Sequence, residues 1–325
     1  MHTIAVIGAG QLGSRHLQGL ARINIAVAIR VVDPNPGQLE VARSRFQEIP
    51  EHVNIPDIQY LGSLQDLETD IDLCIIATTS DIRSSVTKDI ISGRNVRNIL
   101  FEKVLFQSIQ EYDDIQTILT NNNIGAWVNC SRRLYPIYKK IRTFFNPGEK
   151  ITYRVSGSLW GLACNAIHFI DQVLFLSRGY PCEIDISHLE KAILESKRPG
   201  FIELAGTLRM IFDNGSEMIL DSKQAETGQD LIIISGSHYH IVVVETLGKA
   251  IVTHVNDSMD WQEMNFRNPF QSELTHLVAT DILLNGHSEL ATFRESTDMH
   301  KLMLKGFINH IEAVTGRSVT NCPIT

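Results

Sequence analysis

The feature that most constrains the fold is a glycine-rich turn that follows the first apolar run. The run spans Thr3 to Ile7, and the glycines after it have the spacing G-x-G-x-x-G. The first glycine of such a turn permits a tight bend, the second lets the backbone approach a pyrophosphate, and the third lets the helix pack close to the strand. Free N–H groups at the helix N-terminus then attract the phosphates. The pattern predicts a dinucleotide-binding unit with contacts from Gly8, Gly10, Gln11, Leu12 and Gly13.

A second apolar run, residues 25–32, ends at Asp33, twenty positions after Gly13. An acidic side chain at this place can accept hydrogen bonds from a ribose 2′-hydroxyl and would repel a 2′-phosphate. The spacing therefore predicts NAD as the cofactor and makes NADP the less favoured choice. An ordinary strand–turn–helix in which Asp33 caps the next turn is the alternative that this pattern leaves open.

Length and composition favour a globular protein of about two domains. A chain of 325 residues with 43% hydrophobic and 20% charged residues can bury a sizeable core. The net charge of −8 argues against a nucleic-acid surface. We expect no membrane span, since no apolar run reaches about 18 residues, and no signal peptide, since the first strand begins at once. Five scattered cysteines, never in C-x-x-C spacing, suit free thiols in the cytoplasm and predict neither disulfides nor a metal site.

The first half of the chain alternates apolar runs with helical patterns, which predicts a doubly wound parallel sheet over residues 1–128. Ligands bind such sheets beyond the carboxyl ends of the strands. Thr78 and Thr79 follow one apolar run, and Glu102 and Lys103 follow the next. We expect these four residues to contact the cofactor, and the Lys103 amine to stabilise negative charge on a substrate oxygen. A solvated Glu–Lys surface pair is the alternative.

The second half, residues 129–325, has longer strand patterns joined by hairpin turns. Asp213-Asn214-Gly215 and Gly236-Ser237 are turn sequences between apolar segments. They predict a second α/β domain with an open, mainly antiparallel sheet that binds substrate. Because an exposed apolar sheet face is a liability, the free face is a candidate interface for a homodimer or a higher homo-oligomer.

The stretch from Trp160 to Gln172 carries the candidate acid–base residue. Asn165 is expected to cap a helix that runs to Leu176, so that His168 lies in the first turn, where the helix dipole favours a neutral imidazole. A neutral imidazole can accept the proton of a substrate hydroxyl while hydride leaves the carbon. Asp171, three residues later on the same face, is placed to orient the ring. A histidine packed with a hydrogen-bonded partner is the alternative.

Taken in order, these segments resemble the Gfo/Idh/MocA family, named after glucose–fructose oxidoreductase and inositol dehydrogenase. The similar segments are Ala5–Gly13, Val32–Pro34, Ala77–Ser80, Gly93–Val96, Glu102–Val104, Asn129–Pro136 and Ala166–Asp171, spread over nearly the whole chain. The resemblance implies a Rossmann domain followed by an α/β domain with an open sheet. It also implies an NAD(P)-dependent oxidoreductase that transfers a hydride to or from a CH–OH group of a sugar, cyclitol or nucleotide sugar.

The resemblance assigns roles to individual residues. Lys103 corresponds to the lysine near the nicotinamide, and His168 corresponds to the acid–base on the substrate side, so both would be catalytic. The substrate pocket is expected to contain Arg132, Arg133, Tyr153, Trp160, Asn165, His168 and Asp171.

Several positions depart from the family pattern. Val104 replaces the proline after the Glu–Lys pair, and Thr79 replaces the proline after Thr78. Arg83 stands where the family usually has histidine, and Cys164 replaces an aspartate that often shares the acid–base role. These departures keep an alternative open, namely a nucleotide- or sugar-binding protein without dehydrogenase turnover. Reduction of a C=N bond, which needs a proton donor but no alcohol base, is a third possibility.

Overall fold

The computed structural model describes residues 1–50, 52–224, 230–255 and 260–325. They form two units. The first unit contains residues 1–106, 110–131 and 269–294, and the second contains residues 107–109, 132–268 and 295–325. The sequence predicted a single boundary between residues 128 and 129, whereas the chain crosses at 131–132 and later returns to the first unit for residues 269–294.

The strands and helices are numbered in chain order. The strands are β1 (His2–Ile7), β2 (Val27–Val32), β3 (Asp57–Leu61), β4 (Asp70–Ile71), β5 (Leu73–Ile76), β6 (Asn95–Val96), β7 (Asn98–Phe101), β8 (Gly125–Val128), β9 (Thr152–Ser158), β10 (Pro181–Glu195), β11 (Ile202–Phe212), β12 (Glu217–Lys223), β13 (Leu231–Ser235), β14 (Tyr239–Val244), β15 (Lys249–His254), β16 (Gln262–Asn265) and β17 (Ala291–Thr292). The helices are α1 (Gln11–Leu20), α2 (Pro36–Gln47), α3 (Ser80–Gly93), α4 (Ile109–Asn121), α5 (Pro136–Arg142), α6 (Leu162–Ser177), α7 (Thr275–Asn285) and α8 (Phe293–Thr315).

The first unit is built on a parallel sheet with the strand order β17-β8-β7-β5-β1-β2-β3. Its strands pair in parallel, except that β17 runs antiparallel to β8. Strands β2 and β5 are buried along their whole length, which explains why their sequences are almost continuously apolar. This sheet confirms the predicted Rossmann-type α/β fold of the N-terminal part.

Helix α7 explains why the chain returns to the first unit. Gly19 lies inside α1, and a Cβ at this position would lie only 2.9 Å from the Cβ of Thr275, the first residue of α7. A glycine inside a helix costs roughly 0.5–1 kcal/mol relative to alanine. Here that cost is offset by close packing of α1 against α7. The dinucleotide turn does not require a glycine at position 19. Gly19 is therefore a sequence signal that another segment packs closely against α1.

The second unit is built on an eight-stranded sheet with the order β10-β11-β12-β9-β13-β14-β15-β16. All neighbours are antiparallel except β12 and β9, which confirms the prediction of a mainly antiparallel sheet. The predicted strands at the centre are present. Strand β10 was not predicted, because its exposed and half-buried residues follow no regular alternation.

Helix α6 packs on β11 and β12. It begins at Leu162, three residues before the predicted cap Asn165, and Gly161 precedes it in the left-handed conformation at φ 79°. Most of α6 is buried, but Cys164, Asn165 and His168 form a half-exposed strip along one face. This strip is where a ligand can reach the helix.

Two predictions from composition can be compared with the structure. All five cysteines are free thiols, as predicted. In the described ranges, every helix is too short or too polar to cross a lipid bilayer.

Candidate active site

The turn after β1 is a cradle that requires glycine. Gly8 has a φ of +89°, and a Cβ on it would lie 2.9 Å from the backbone nitrogen of Thr78. A Cβ on Gly13 would lie 1.7 Å from the carbonyl oxygen of Gly8, so α1 touches the backbone of the turn. No described atom beyond its chain neighbours lies within 4 Å of the Cβ position of Gly10, so the space there is open. The first N–H groups of α1 lack partners within the helix and can bind a phosphate in this space.

A cleft of about 470 Å³ joins this cradle to the ends of β2 and β5. Five predicted cofactor contacts line it, namely Gly8, Gly10, Asp33, Thr78 and Thr79. The sequence analysis missed Gly62, Ser63, Leu64, Gln65, Ile82 and Val86. Residues 62–65 directly follow β3, so the rule that ligands bind beyond strand ends could have found them.

Asp33 is held in place by backbone N–H groups. Its Oδ2 accepts a hydrogen bond from Ala9 at 2.7 Å, and its Oδ1 accepts one from Asn35 at 2.8 Å. Each oxygen keeps a further acceptor position, which suits ribose hydroxyls. Asn35 caps α2, since its side chain accepts a hydrogen bond from Gly37, whereas Asp33 caps the turn before the helix through the N–H of Asn35 and keeps Oδ2 on the side of the glycine turn.

Gln11 and Leu12 form the first turn of α1. The Gln11 side chain is exposed, and its amide oxygen accepts a hydrogen bond from Arg45 at 2.9 Å. Arg45 also bonds the Ser14 hydroxyl at 2.5 Å, and so links α2 to α1. Neither contact uses the N–H groups at the start of α1. The cradle, the cleft and the anchored Asp33 therefore fit a dinucleotide.

Glu102 is not placed to contact the cofactor as predicted, because it is buried and bonded to other side chains. It is 3% exposed, and its Oε1 lies 2.8 Å from Nε2 of His16 and 2.5 Å from Nδ2 of Asn129. Burial raises the pKa of Glu102, but hydrogen bonds from His16 and Asn129 and the charge of Lys103 outweigh burial and lower it overall. Glu102 is therefore an ionised carboxylate directly before the candidate catalytic lysine.

The contacts of Glu102 belong to a closed ring of side chains in the first unit. Nδ1 of His16 lies 3.0 Å from the Thr275 hydroxyl, and Gln271 bonds both Thr275, at 3.1 Å, and Asn129, at 2.9 Å. The ring joins α1, the ends of β7 and β8, and the segment that leads into α7. Sequence reasoning missed it because Gln271 and Thr275 are more than 250 residues from His16.

Lys103 lies half-exposed at the end of β7. The loop that follows it is held by Arg83, which is 2% exposed and donates hydrogen bonds to the carbonyl oxygens of Thr78, Val104 and Leu105. Arg83 thus ties the loop that lines the cofactor cleft to the loop that carries Lys103. The sequence identified Arg83 only as a departure from the family pattern.

On α6, His168 lies in the second turn and not in the predicted first turn, because the helix begins earlier. The dipole argument for a neutral ring is correspondingly weaker, since the effect fades beyond the first turn. Asn165 does not cap the helix, and its side chain donates to the carbonyl oxygen of Trp160 at 2.8 Å. The Trp160 ring meets Phe169 edge-on at 5.3 Å between centroids, and its N–H donates to the carbonyl oxygen of Asp221.

Three residues predicted for the substrate pocket are buried with structural partners instead. Nε of Arg133 donates to both oxygens of Asp171, at 3.0 and 2.8 Å, and Asp171 is fully buried. The structure gives Asp171 this partner in place of the expected orienting contact with His168. Tyr153 is also fully buried, and its hydroxyl bonds Gln172 at 2.5 Å.

Arg132 is likewise engaged within the second unit. It donates two hydrogen bonds to Glu245, at 3.1 and 2.9 Å, and its guanidinium lies 4.6 Å from the ring centroid of Phe169. Burial raises the pKa of Glu245, but the charge of Arg132 and hydrogen bonds from Arg132 and Tyr138 outweigh it and lower the pKa overall. The ionised Glu245 forms an ion pair with Arg132. The structure thus gives Arg132 a partner within the protein in place of the predicted contact with substrate.

Comparison with known families agrees with the geometry of the first unit. Residues 2–130 match the family described as an oxidoreductase family with an NAD-binding Rossmann fold, known as Gfo/Idh/MocA. Over residues 2–130 the chain is therefore similar to the Gfo/Idh/MocA oxidoreductase family. The matched region contains the glycine cradle, Asp33 and the Glu102–Lys103 pair, so the resemblance inferred from short motifs is confirmed.

Similar proteins support the same fold along most of the chain. The uncharacterized oxidoreductase YrbE of Bacillus subtilis (strain 168) is 25% identical over 251 residues, which are 69% of this chain and 68% of YrbE. The structure of UDP-N-acetylglucosamine 3-dehydrogenase GnnA from Acidithiobacillus ferrooxidans has a TM-score of 0.70 at 15% identity and covers 94% of this chain and 96% of GnnA. The super-repressor mutant of Gal80p from Saccharomyces cerevisiae has a TM-score of 0.73 at 10% identity, with 96% of each chain covered. At these identities the structures show a shared fold and not a shared activity.

The bridge made by Arg83 generates a stability prediction. Arg83→Met leaves the buried carbonyl oxygens of Val104 and Leu105, and the part-buried one of Thr78, without this donor, so we expect the free energy of unfolding to fall by about 2–4 kcal/mol. Urea unfolding followed by circular dichroism measures this change. Arg317→Met, at an exposed position after α8, is the matched control and should unfold like the wild type. Equal stability of the two variants would show that the bridge does not stabilise the first unit.

Proposed function

We propose that the protein is an NAD-dependent oxidoreductase that transfers a hydride to or from a CH–OH carbon of a sugar, cyclitol or nucleotide sugar. The observation that carries the proposal is the first-unit cleft, which combines a glycine cradle with an anchored Asp33. Arg83 connects that cleft to the loop of Lys103. GnnA, which shares the fold, is a UDP-N-acetylglucosamine 3-dehydrogenase, and we therefore include nucleotide sugars among the proposed substrates.

The chain's own residues have distinct tasks in this proposal. Bound NAD supplies the hydride acceptor or donor. Lys103 donates a hydrogen bond to the substrate oxygen and stabilises negative charge on it. His168, half-exposed on α6, accepts the hydroxyl proton during oxidation and returns it during reduction. The ionised Glu102 behind Lys103 provides a fixed negative charge that attracts the lysine ammonium.

The roles of Lys103 and His168 generate a kinetic prediction. Lys103→Ala and His168→Ala should each lower kcat by roughly a hundredfold, because general acid–base assistance is lost. NADH formation is measured with glucose, myo-inositol and UDP-N-acetylglucosamine. Lys191→Ala and His188→Ala, at exposed positions of β10, are the controls and should leave kcat unchanged. Near-wild-type rates in both active-site variants would reject the assignment.

The preference for NAD generates a second prediction. No lysine or arginine is present among the described residues that line the cleft, so a 2′-phosphate there would face Asp33 without a neutralising cation. We expect NADH to bind more tightly than NADPH, by roughly tenfold or about 1.4 kcal/mol. Fluorescence titration of both cofactors measures the ratio, which Asp33→Ser should reduce. Tighter binding of NADPH to the wild type would contradict the role of Asp33.

A nucleotide- or sugar-binding protein without turnover is the second candidate. Cys164 favours it, because a thiol replaces a carboxylate that often shares proton transfer in the family. The fold shared with Gal80p also shows that this architecture is not limited to proteins named as dehydrogenases. Stopped-flow measurement of bound NADH separates the candidates, since loss of reduced cofactor driven by any sugar rejects the non-catalytic one.

We also propose that the protein is a cytoplasmic homodimer or higher homo-oligomer that uses the free face of the second-unit sheet. The strand register places Ile219, Ile233, Val242 and Ile251 in one row across that face, with Arg154 between the first two. Ile233 and Ile251 are 38% and 37% exposed. Covering such a row stabilises an assembly because it removes apolar area from water. The free thiols support a reducing compartment.

The interface generates a prediction about mass. Light scattering should give a multiple of the 36.5 kDa chain mass for the wild type. Ile233→Glu should shift the mass to that of the monomer, since two copies would bring buried like charges together. Glu263→Gln, at the far edge of the same row, is the control. A monomeric wild type would reject the interface.

A further inference from the structure

A cleft beside the start of α6 contains a carboxylate that the sequence analysis did not assign. The cleft lies within the second unit and has a volume of about 660 Å³. The residues that matter for its chemistry are Trp160, Cys164, Asn165, Arg198, Glu203 and Gln224. Trp160 and Asn165 are expected substrate contacts, and Glu203 adds an acidic group beside them.

Glu203 reaches the N-terminus of α6 from β11. Its Oε2 accepts a hydrogen bond from the backbone N–H of Ala163, and its Oε1 accepts one from Cys164, each at 3.0 Å. These N–H groups belong to the first turn, where a helix favours a negative charge. The two bonds fix the plane of the carboxylate. The N–H of Leu204 also donates to Oε2 at 3.4 Å. A carboxylate has about four acceptor positions, so the half-exposed Glu203 keeps about one for a ligand in the cleft.

The strip on α6 links Glu203 to the candidate acid–base residue. Cys164, whose N–H binds Glu203, lies one turn before His168 on the same helix face. Both side chains are half-exposed, whereas Ala166 and Ile167 between them are fully buried. Cys164 and Asn165 of this strip line the cleft, and His168 lies one turn beyond them on the same helix face.

We propose that Glu203 binds a hydroxyl group of the substrate and supplies, from β11, the carboxylate that position 164 lacks. The inference rests on the proposed function for the identity of the cleft as the substrate site. Glu203 accepts a hydrogen bond from a substrate hydroxyl next to the reacting CH–OH group and thereby orients the substrate, which leaves the proton of the reacting hydroxyl for His168. In the oxidation, bound NAD would accept the hydride as the C–H bond of the reacting carbon breaks, the proton of the hydroxyl on that carbon would pass to His168, and a C=O bond would form.

Glu203 also makes the site selective. A neutral hydroxyl satisfies the carboxylate, whereas a phosphate or carboxylate group at the same point would be repelled by it. The cleft therefore selects substrates that present hydroxyl groups to the start of α6, with any anionic group placed elsewhere. Lys197 and Arg198, on the turn between β10 and β11, also line the cleft and can hold such an anionic group.

The test is a binding measurement that does not depend on turnover. Calorimetric titrations with glucose, myo-inositol and UDP-N-acetylglucosamine are performed on the NAD-loaded wild type and on variants. We identify the probe that the wild type binds most tightly. Glu203→Gln should lower the affinity for this probe by roughly tenfold or more, because a hydrogen bond to a charged group is lost. Glu183→Gln, at an exposed position of β10 outside the cleft, is the matched control and should bind like the wild type. Equal affinity of the two variants would overturn the proposal.

A second variant separates ligand binding from helix capping, because Glu203→Gln also removes one acceptor from the first turn of α6. Adding Cys164→Asp to Glu203→Gln restores a carboxylate at the same helix end without restoring the original capping contact. Recovery of probe affinity in the double variant supports the proposal. A double variant that stays as weak as Glu203→Gln would overturn it, as would a wild type that binds none of the three probes.

The outcome is distinguishable from a failure of the proposed function. Probe binding that depends on Glu203 without any NADH formation would reject oxidoreductase turnover and keep the assignment of Glu203. Turnover that depends on Lys103 and His168 but not on Glu203 would keep the proposed oxidoreductase function and reject the assignment of Glu203.

Discussion

The close contact between α1 and the glycine turn is the constraint on which the rest of the first unit depends. The Cβ position of Gly13 lies 1.7 Å from the carbonyl oxygen of Gly8 and 3.4 Å from the Cβ of Ala77, so any side chain at residue 13 would push α1 away from the sheet. This approach places the N-terminus of α1 over the strand ends, where it can hold phosphates. It also brings His16, one turn further along α1, to 2.8 Å from Glu102. One backbone contact thus supports both the cofactor cradle and the buried ring behind Lys103.

Two buried arrangements position Lys103 without contacting a ligand. The ring that contains Glu102, His16 and Asn129 fixes the end of β7, and Arg83 holds the loop that follows. In both arrangements the polar groups satisfy each other away from water, so the loss of one member leaves the others unpaired at a cost. In the second unit, Glu203 on β11 has a comparable role, because its carboxylate accepts hydrogen bonds from the first turn of α6. The chemistry of each unit is thus supported by partners distant in sequence.

Local signals explain how much the sequence could predict. The glycine spacing, the acidic Asp33 and the apolar runs of the parallel sheet lie within short windows, and the structure has all of them in the predicted elements. Contacts between distant residues could not be read in this way. His16 and Thr275 are 259 positions apart. Helix spacing predicts that Asp171 orients His168, whereas Arg133, 38 positions before Asp171, binds it. Strand β10 escaped prediction because its pattern of burial is irregular. A cap at Asn165 predicts that α6 begins at Ala166, four residues after its observed start at Leu162.

The central claim is that a dinucleotide lies over the start of α1 with a ribose on Asp33. A crystal structure of the protein grown with NAD tests this most directly. We expect pyrophosphate oxygens at about 3 Å from the N–H groups at the start of α1 and ribose hydroxyls at a similar distance from the Asp33 carboxylate. A nucleotide bound away from this cradle, or an empty cradle in crystals saturated with NAD, would contradict the account.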